Sequence, residues 1–218
     1  MADASTPRLR WFQYRLRTLL MLMLLASIGM SWLAVRMKRA RMEHEAAKAI
    51  LKAGGQVAYV YELDAAGKKI PGATPPAPTW LRNLLGNDLF DGVAEVRVGG
   101  DAELEYVKHL PNLQSLSFWC GPKLTDAGLA HLQEVPRLRR LHFGAHQNVT
   151  DAGLVNLTAL TQLQRLEMRY LQISDAGLEH LAGLNQLQEL YLGSTAKVTD
   201  EGVKKLQQAL PNCRIIRR

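Results

Sequence analysis

Two hydrophobic patterns divide this chain of 218 residues. The first is a continuous run. From Thr18 to Val35, TLLMLMLLASIGMSWLAV, no ionisable side chain falls between Arg17 and Arg36. As a helix the run spans roughly 27 Å, close to the ~30 Å hydrocarbon core of a bilayer, and flanking arginines can snorkel to absorb the difference. Residues 18–35 are therefore expected to form a transmembrane helix, behind a basic tail at 1–17. A cleaved signal peptide fits less well, because the run is long for one and no small-x-small cleavage site closes it. Trp11, Phe12 and Tyr14 before the run and Trp32 near its end sit where interfacial aromatics belong. Strong helix formers without Gly or Pro continue to Ala53, so a helical stalk is expected over 36–55, stopped at Gly54-Gly55. Alternating β-branched and aromatic residues in QVAYVYEL give a short strand, and a Pro/Gly-rich linker completes 56–79. From Trp80 a short helix carrying Trp80, Leu81, Leu84 and Leu85 is expected to cap the C-terminal part of the chain.

The second pattern is periodic. Leu113-x-x-Leu116-x-Phe118 returns as Leu138-x-x-Leu141-x-Phe143, Leu163-x-x-Leu166-x-Met168 and Leu187-x-x-Leu190-x-Leu192. Val93-x-x-Val96-x-Val98 opens the series, and Cys213-x-x-Ile216 starts a truncated last unit. A fixed period of about 25 residues on an L-x-x-L-x-L core marks a leucine-rich repeat solenoid. The fold class expected is α/β. Short parallel strands line the concave face and helices the convex face over 80–218, with one transmembrane helix in front.

Between the leucine cores stand LTDAGLAHL, VTDAGLVNL, ISDAGLEHL and VTDEGVKKL. Thr125, Thr150, Ser174 and Thr199 suit helix N-caps, and Asp126, Asp151, Asp175 and Asp200 fall in the first turn, where the helix dipole favours an acid. Gly128, Gly153, Gly177 and Gly202 let neighbouring coils approach. A catalytic acid is not needed once per repeat, so these residues are read as architecture.

Charge changes the picture only at the N-terminus. Of 27 basic residues ten, and of 20 acidic residues three, fall in 1–52, which leaves 17 of each beyond. The formal charge of +7 thus belongs to the anchor region, and the solenoid is balanced, with no net pull on nucleic acid. Four arginines precede the span (Arg8, Arg10, Arg15, Arg17), and Arg36, Lys38, Arg39 and Arg41 come after it, so the positive-inside count nearly ties. Translocating the arginine-rich tail is costly, which tips the expectation toward an extracytoplasmic repeat domain, anchored in the membrane through 18–35.

In such a solenoid the strand face carries function, at positions between and just after the inward leucines. These are Ser115, Ser117 and Trp119; Arg140, His142 and Gly144; Arg165, Glu167 and Arg169; Glu189, Tyr191 and Gly193. Exposed Trp, Tyr and Arg dominate interface hot spots, so Trp119, Arg140, His142, Arg165, Glu167, Arg169 and Tyr191 are the candidate partner-binding set. The alternative is a solvated face whose Arg–Glu pairs merely join neighbouring coils. A protein or peptide with an acidic patch is the expected partner. The two cysteines, Cys120 and Cys213, lie about four coils apart, roughly 19 Å at strand spacing, too far for a disulfide. Cys213 takes an inward position and Cys120 reads as a free thiol. His142 and His146 have no third ligand, so neither a metal nor a cofactor is expected.

The TDAGL repeats resemble leucine-rich repeats abundant in planctomycete bacteria, a class similar to the cysteine-containing repeats of F-box proteins. Such repeats often come after a basic and hydrophobic start like YRLRTLL, which Tyr14 to Leu20 matches. The resemblance covers 93–216 by motif. It implies a horseshoe fold and a protein-interaction role, and it hands over no catalytic residues. No F-box-like segment is present, so a ubiquitin-ligase adaptor role does not carry over. The expected function is a single-pass membrane-anchored interaction or scaffold module, not an enzyme. Two alternatives are a structural envelope component that self-associates through an open solenoid end, and an enzyme using His142 with Glu167. The second lacks an evident nucleophile and an enclosed pocket.

Overall fold

The computed structural model describes residues 7–64, 69–85, 92–119, 123–195 and 197–217, with backbone alone for 7–17 and 83–85. The sequence expectations for the side chains of Arg8, Arg10, Trp11, Phe12, Tyr14, Arg15, Arg17, Leu84 and Leu85, and for Cys120, fall outside this description.

Each leucine core forms one strand. After helix α1 (Pro7–Lys52), strands β1 (Gln56–Tyr59), β2 (Val93–Val98), β3 (Ser115–Phe118), β4 (Arg140–Ala145), β5 (Arg165–Arg169), β6 (Glu189–Gly193) and β7 (Arg214–Arg217) lie side by side in that order. β1 runs antiparallel to β2, and every later pair is parallel. Leu116, Leu141, Leu166 and Leu190 share one register row, all at most 1% exposed. Each fully buried leucine of this kind contributes roughly 1.5–3 kcal/mol. Phe118 and Phe143 stack one coil apart at 5.1 Å. The molecule is a leucine-rich repeat solenoid, its strands facing one way and its helices the other.

The returning segments are short. α3 (Asp101–Val107), α4 (Asp126–Leu129), α5 (Asp151–Leu154), α6 (Asp175–Glu179) and α7 (Asp200–Ala209) begin at the aspartates, and α4 and α5 pass directly into 3-10 turns at Ala130–Glu134 and Val155–Ala159. Strong i,i+4 hydrogen bonding is not needed here, because the buried leucines at 129, 132, 154 and 157 hold each segment against the sheet.

The two ends depart from the sequence expectation. α1 runs as a helix through the stalk segment to Lys52, and its last turns dock on the solenoid. Along one face Leu33, Met37 and Ala40 are half-buried, and Glu43, Ala46, Ala47 and Ile50 are buried in the solenoid core against α3, β1 and β2. The Glu43 carboxylate accepts the Val93 N–H at 2.6 Å. α1 closes as the glycine pair suggested: Gly54 turns to φ +95°, and the N–H groups of Gly54 and Gly55 reach the carbonyls of Leu51 and Ile50 at 3.1 and 2.9 Å. Gly55 has a second duty, since a Cβ there would stand 2.8 Å from the Arg97 carbonyl. The last turns of α1 together with β1 therefore cover the first coil. The segment expected to do so, α2 (Thr79–Leu85), leaves Trp80 66% exposed. At the other end the inward residue of β7 is Ile215, opposite Leu190, while Ile216 lies opposite Tyr191, one place off the sequence frame. Cys213 is buried in the core as expected, and burial raises its thiol pKa.

Candidate functional site

Strand pairing sorts the exposed strand residues into rows. One row runs Glu95, Ser115, Arg140, Arg165, Glu189, Arg214, and the next runs Arg97, Ser117, His142, Glu167, Tyr191, Ile216. Arg140 and Arg165 thus stand on adjacent strands facing the same way, as the repeat frame required. Ser115 is buried, so it interrupts the first row between the half-buried Glu95 and Arg140. A register shift between Phe143 and Ala145 sets Ala145, not Gly144, opposite Arg169. Trp119 comes directly after β3 and is 45% exposed.

Ion pairs already cross this face. Arg165 Nε meets Glu189 Oε2 at 2.6 Å across strands, and Arg169 engages Glu167. His142 Nε2 stands 3.8 Å from Glu167 Oε1. Exposed pairs of this kind contribute little, of order 0–1 kcal/mol each. They orient the side chains more than they hold the coils together.

Ser117, His142 and Glu167 are consecutive in one row, the residue types of an acyl-transfer triad. The geometry does not assemble one. No hydrogen bond joins Ser117 to His142 among the described residues, Glu167 is turned to Arg169, and its 3.8 Å separation from His142 exceeds hydrogen-bond reach. Among the described residues the crevices at the strand starts are lined by Arg140, Arg165 and Glu189, not by Ser117, His142 or Glu167. His146, which the sequence places near His142, is fully buried edge-on to Phe118 at 6.0 Å. Among the described residues no group of three potential metal ligands comes together.

On the helix side the recurring Thr/Ser-Asp-x-Gly unit does more than cap. Each aspartate reaches forward to the next coil and accepts both the backbone N–H and the hydroxyl of its Thr or Ser. Asp101 takes Thr125 at 2.9 and 2.6 Å, Asp126 takes Thr150 at 2.8 and 2.6 Å, Asp151 takes Ser174 at 2.7 and 2.5 Å, and Asp175 takes Thr199 at 2.8 and 2.6 Å. The capping expectation holds for Thr150, Ser174 and Thr199, whose side-chain oxygens accept from Ala152, Ala176 and Gly202. The Thr125 side chain makes no such bond, and its hydroxyl and N–H go to Asp101. The glycine makes room for the incoming acid: a Cβ on Gly128, Gly153, Gly177 or Gly202 would meet the preceding Asp Oδ1 at 2.0, 2.2, 2.3 or 2.1 Å. At Asp175 the Thr199 hydroxyl, then the Thr199 N–H, hold the carboxyl below its ordinary pKa, with Lys205 and Arg217 adding to the effect. Asp200 ends the ladder and pairs with Arg217.

No family model and no curated protein matches this sequence. Among solved structures it is similar to a leucine-rich repeat protein of Leptospira interrogans, at 21% identity and TM-score 0.37 over 50% of this chain and 26% of that one. It is similar also to the LRR ectodomain of the receptor kinase SOBIR1 from Arabidopsis thaliana, at 11% identity and TM-score 0.43 over 81% and 91% of the two chains. A third likeness is to internalin C2 from Listeria monocytogenes, at 19% identity and TM-score 0.32 over 59% and 75%. The chain thus spans about a quarter of the Leptospira structure it matches. The fold assignment rests on the repeat geometry itself.

Proposed function

We propose that this chain is a single-pass membrane-anchored leucine-rich repeat protein that offers its strand face to a protein partner, as an interaction or scaffold module. The observation that carries the anchoring is α1. Over Thr18–Lys52 it is long and apolar enough to cross a membrane, and none of its most apolar window is buried. Leu22, Leu24, Leu25 and Ile28 are each about three-fifths exposed, a surface suited to lipid. Arg36 stacks over the Trp32 ring at 5.2 Å, where the helix would leave the hydrocarbon. The same helix enters the solenoid core eight residues after Val35 at Glu43, so bilayer and repeats are joined without a flexible linker. The strand face supports the partner role through Trp119, Arg140, His142, Arg165, Glu167, Arg169 and Tyr191, and among the described residues Ser117, His142 and Glu167 do not assemble a catalytic set. The cost of translocating Arg8, Arg10, Arg15 and Arg17 supports a reading with the repeats on the extracytoplasmic side of a bacterial inner membrane, and the partner proposed is a protein or peptide with an acidic patch.

Two measurements test this. An epitope after Arg218 should be lost to protease in intact spheroplasts, and its survival until permeabilisation would put the repeats inside. A photo-crosslinking residue at Tyr191 should give discrete adducts in native membranes where one at Thr158, exposed on the helix side, gives none. Equal labelling from both positions would contradict a strand-face partner.

A further inference from the structure

The turns that lead into the strands hold two variable side chains per repeat, one before and one after the inward leucine. Three repeats use amides there: Asn112 with Gln114, Gln162 with Gln164, and Gln186 with Gln188. Of the other units, the first has Gly92 and Ala94 and the truncated last has Asn212 and Arg214, and only the second full repeat places arginine at both positions, Arg137 and Arg139. Architecture does not require the change. The solenoid uses the backbone carbonyl at the second position, and it does so identically whatever the side chain. The Gln114 carbonyl accepts the N–H groups of Arg139 and Arg140 at 2.9 Å each, that of Arg139 accepts Gln164 and Arg165 at 2.8 and 3.0 Å, and that of Gln164 accepts Gln188 and Glu189 at 2.8 and 3.1 Å.

The two arginines are exposed, and among the described residues neither guanidinium has a hydrogen-bond or ion-pair partner. They border two adjoining crevices at the strand starts that share Gln114 and Arg139. One, about 190 Å³, continues past Arg140 and Arg165 onto the strand face; the other, about 550 Å³, runs along the turns beside Arg137 and Gln162. Four guanidiniums therefore line one groove. Among the described residues Glu189 is the single carboxylate in its lining and pairs with Arg165, and Arg140 is engaged as well, so Arg137 and Arg139 carry the unpaired charge. In a solenoid otherwise balanced in charge, this is a local positive surplus built by departing from the repeat.

We infer that this groove binds an extended acidic peptide segment, and the inference rests on the interaction module proposed for the strand face. Guanidinium forks take carboxylates in paired, charge-assisted hydrogen bonds, and the side-chain amides of Gln114 and Gln164 can serve the peptide backbone between them. A single-stranded nucleic acid is the poorer fit, because no aromatic side chain lines the groove for bases to stack on.

The test uses the full chain in detergent micelles and fluorescein-labelled octaglutamate, read by anisotropy. The double substitution Arg137→Gln with Arg139→Gln restores the amides that the other full repeats carry, so it should leave the fold intact while weakening octaglutamate at least ten-fold. Lys204→Gln with Lys205→Gln removes the same charge from exposed positions on α7 and should change affinity less than two-fold. Equal losses from both pairs, no saturable binding by the parent chain, or displacement of octaglutamate by lower concentrations of an eight-residue oligothymidylate would each overturn the inference. Crosslinks from Tyr191 separate its failure from that of the broader proposal. Discrete adducts without arginine-dependent octaglutamate binding would sink the groove alone, whereas arginine-dependent binding without adducts would uphold the groove and sink the strand-face partner.

Discussion

The helix side and the strand side of this solenoid obey opposite rules. On the helix side four successive coils repeat one device, an aspartate bonded to the next coil's Thr or Ser with a glycine cleared to admit it. On the strand side the same coils present Ser117, His142, Glu167 and Tyr191 in a single row, and only one turn carries arginine at both variable positions, Arg137 and Arg139. A contact that every coil needs in order to stack is repeated in every coil, while a side chain free of that duty can differ from coil to coil. Sameness therefore marks architecture here, and difference marks the surface available to a partner.

The sharpest way to break this contrast is Gly153→Ala. The new methyl would stand 2.2 Å from Asp126 Oδ1 and 2.9 Å from Leu129 Cδ1, so the acid must leave its two bonds to Thr150 and the coils must part. The expected cost is about 3 kcal/mol or more, visible as a melting temperature lowered by many degrees. A change of under two degrees would show that the glycines are incidental. Asp126→Ala removes the bonds without the clash and should cost less, about 1.5–3 kcal/mol, by the same melting measurement.

Acid should loosen the ladder with a definite sign. The Asp175 carboxyl is held below its ordinary value of 3.8 when folded, so its stabilising share is whole above that pH and is lost as pH falls through the folded value. Melting temperature should hold between pH 7 and about 5 and drop below about 4. In Asp175→Asn the acid drop should be smaller over the same range. An identical drop in both chains would remove Asp175 from the explanation.

The helix-side device was only half legible in sequence. Thr, Asp and Gly at constant spacing announced a structural motif, and the inward leucines fixed which face each strand turns to the core. The forward reach of Asp126 to Thr150 spans 24 residues, and nothing local tells an N-terminal acid to leave its own helix dipole for the next coil's hydroxyl. The glycines held the missing clue, since an invariant gap within the repeat asks what fills it. The burial of Glu43, Ala46, Ala47 and Ile50 was legible as a helical stripe, but the strong helix formers around it read equally well as a free stalk. Ala145 opposite Arg169 and Ile215 opposite Leu190 depend on a strand bulge and a last-coil shift that leucine spacing does not encode. Arg137 and Arg139 flank the inward Leu138 in a turn, where neither the leucine period nor strand alternation marks a side chain as facing a partner.

The most direct test sets the two sides against each other in one experiment, comparing thermal melts of the full chain carrying either Arg137→Gln with Arg139→Gln or Asp126→Ala with Asp151→Ala. If repetition marks what the fold requires, the arginine pair should melt within about one degree of the parent and the aspartate pair many degrees lower. Equal melting of the two variants would contradict the division between a structural helix side and a strand side free to bind.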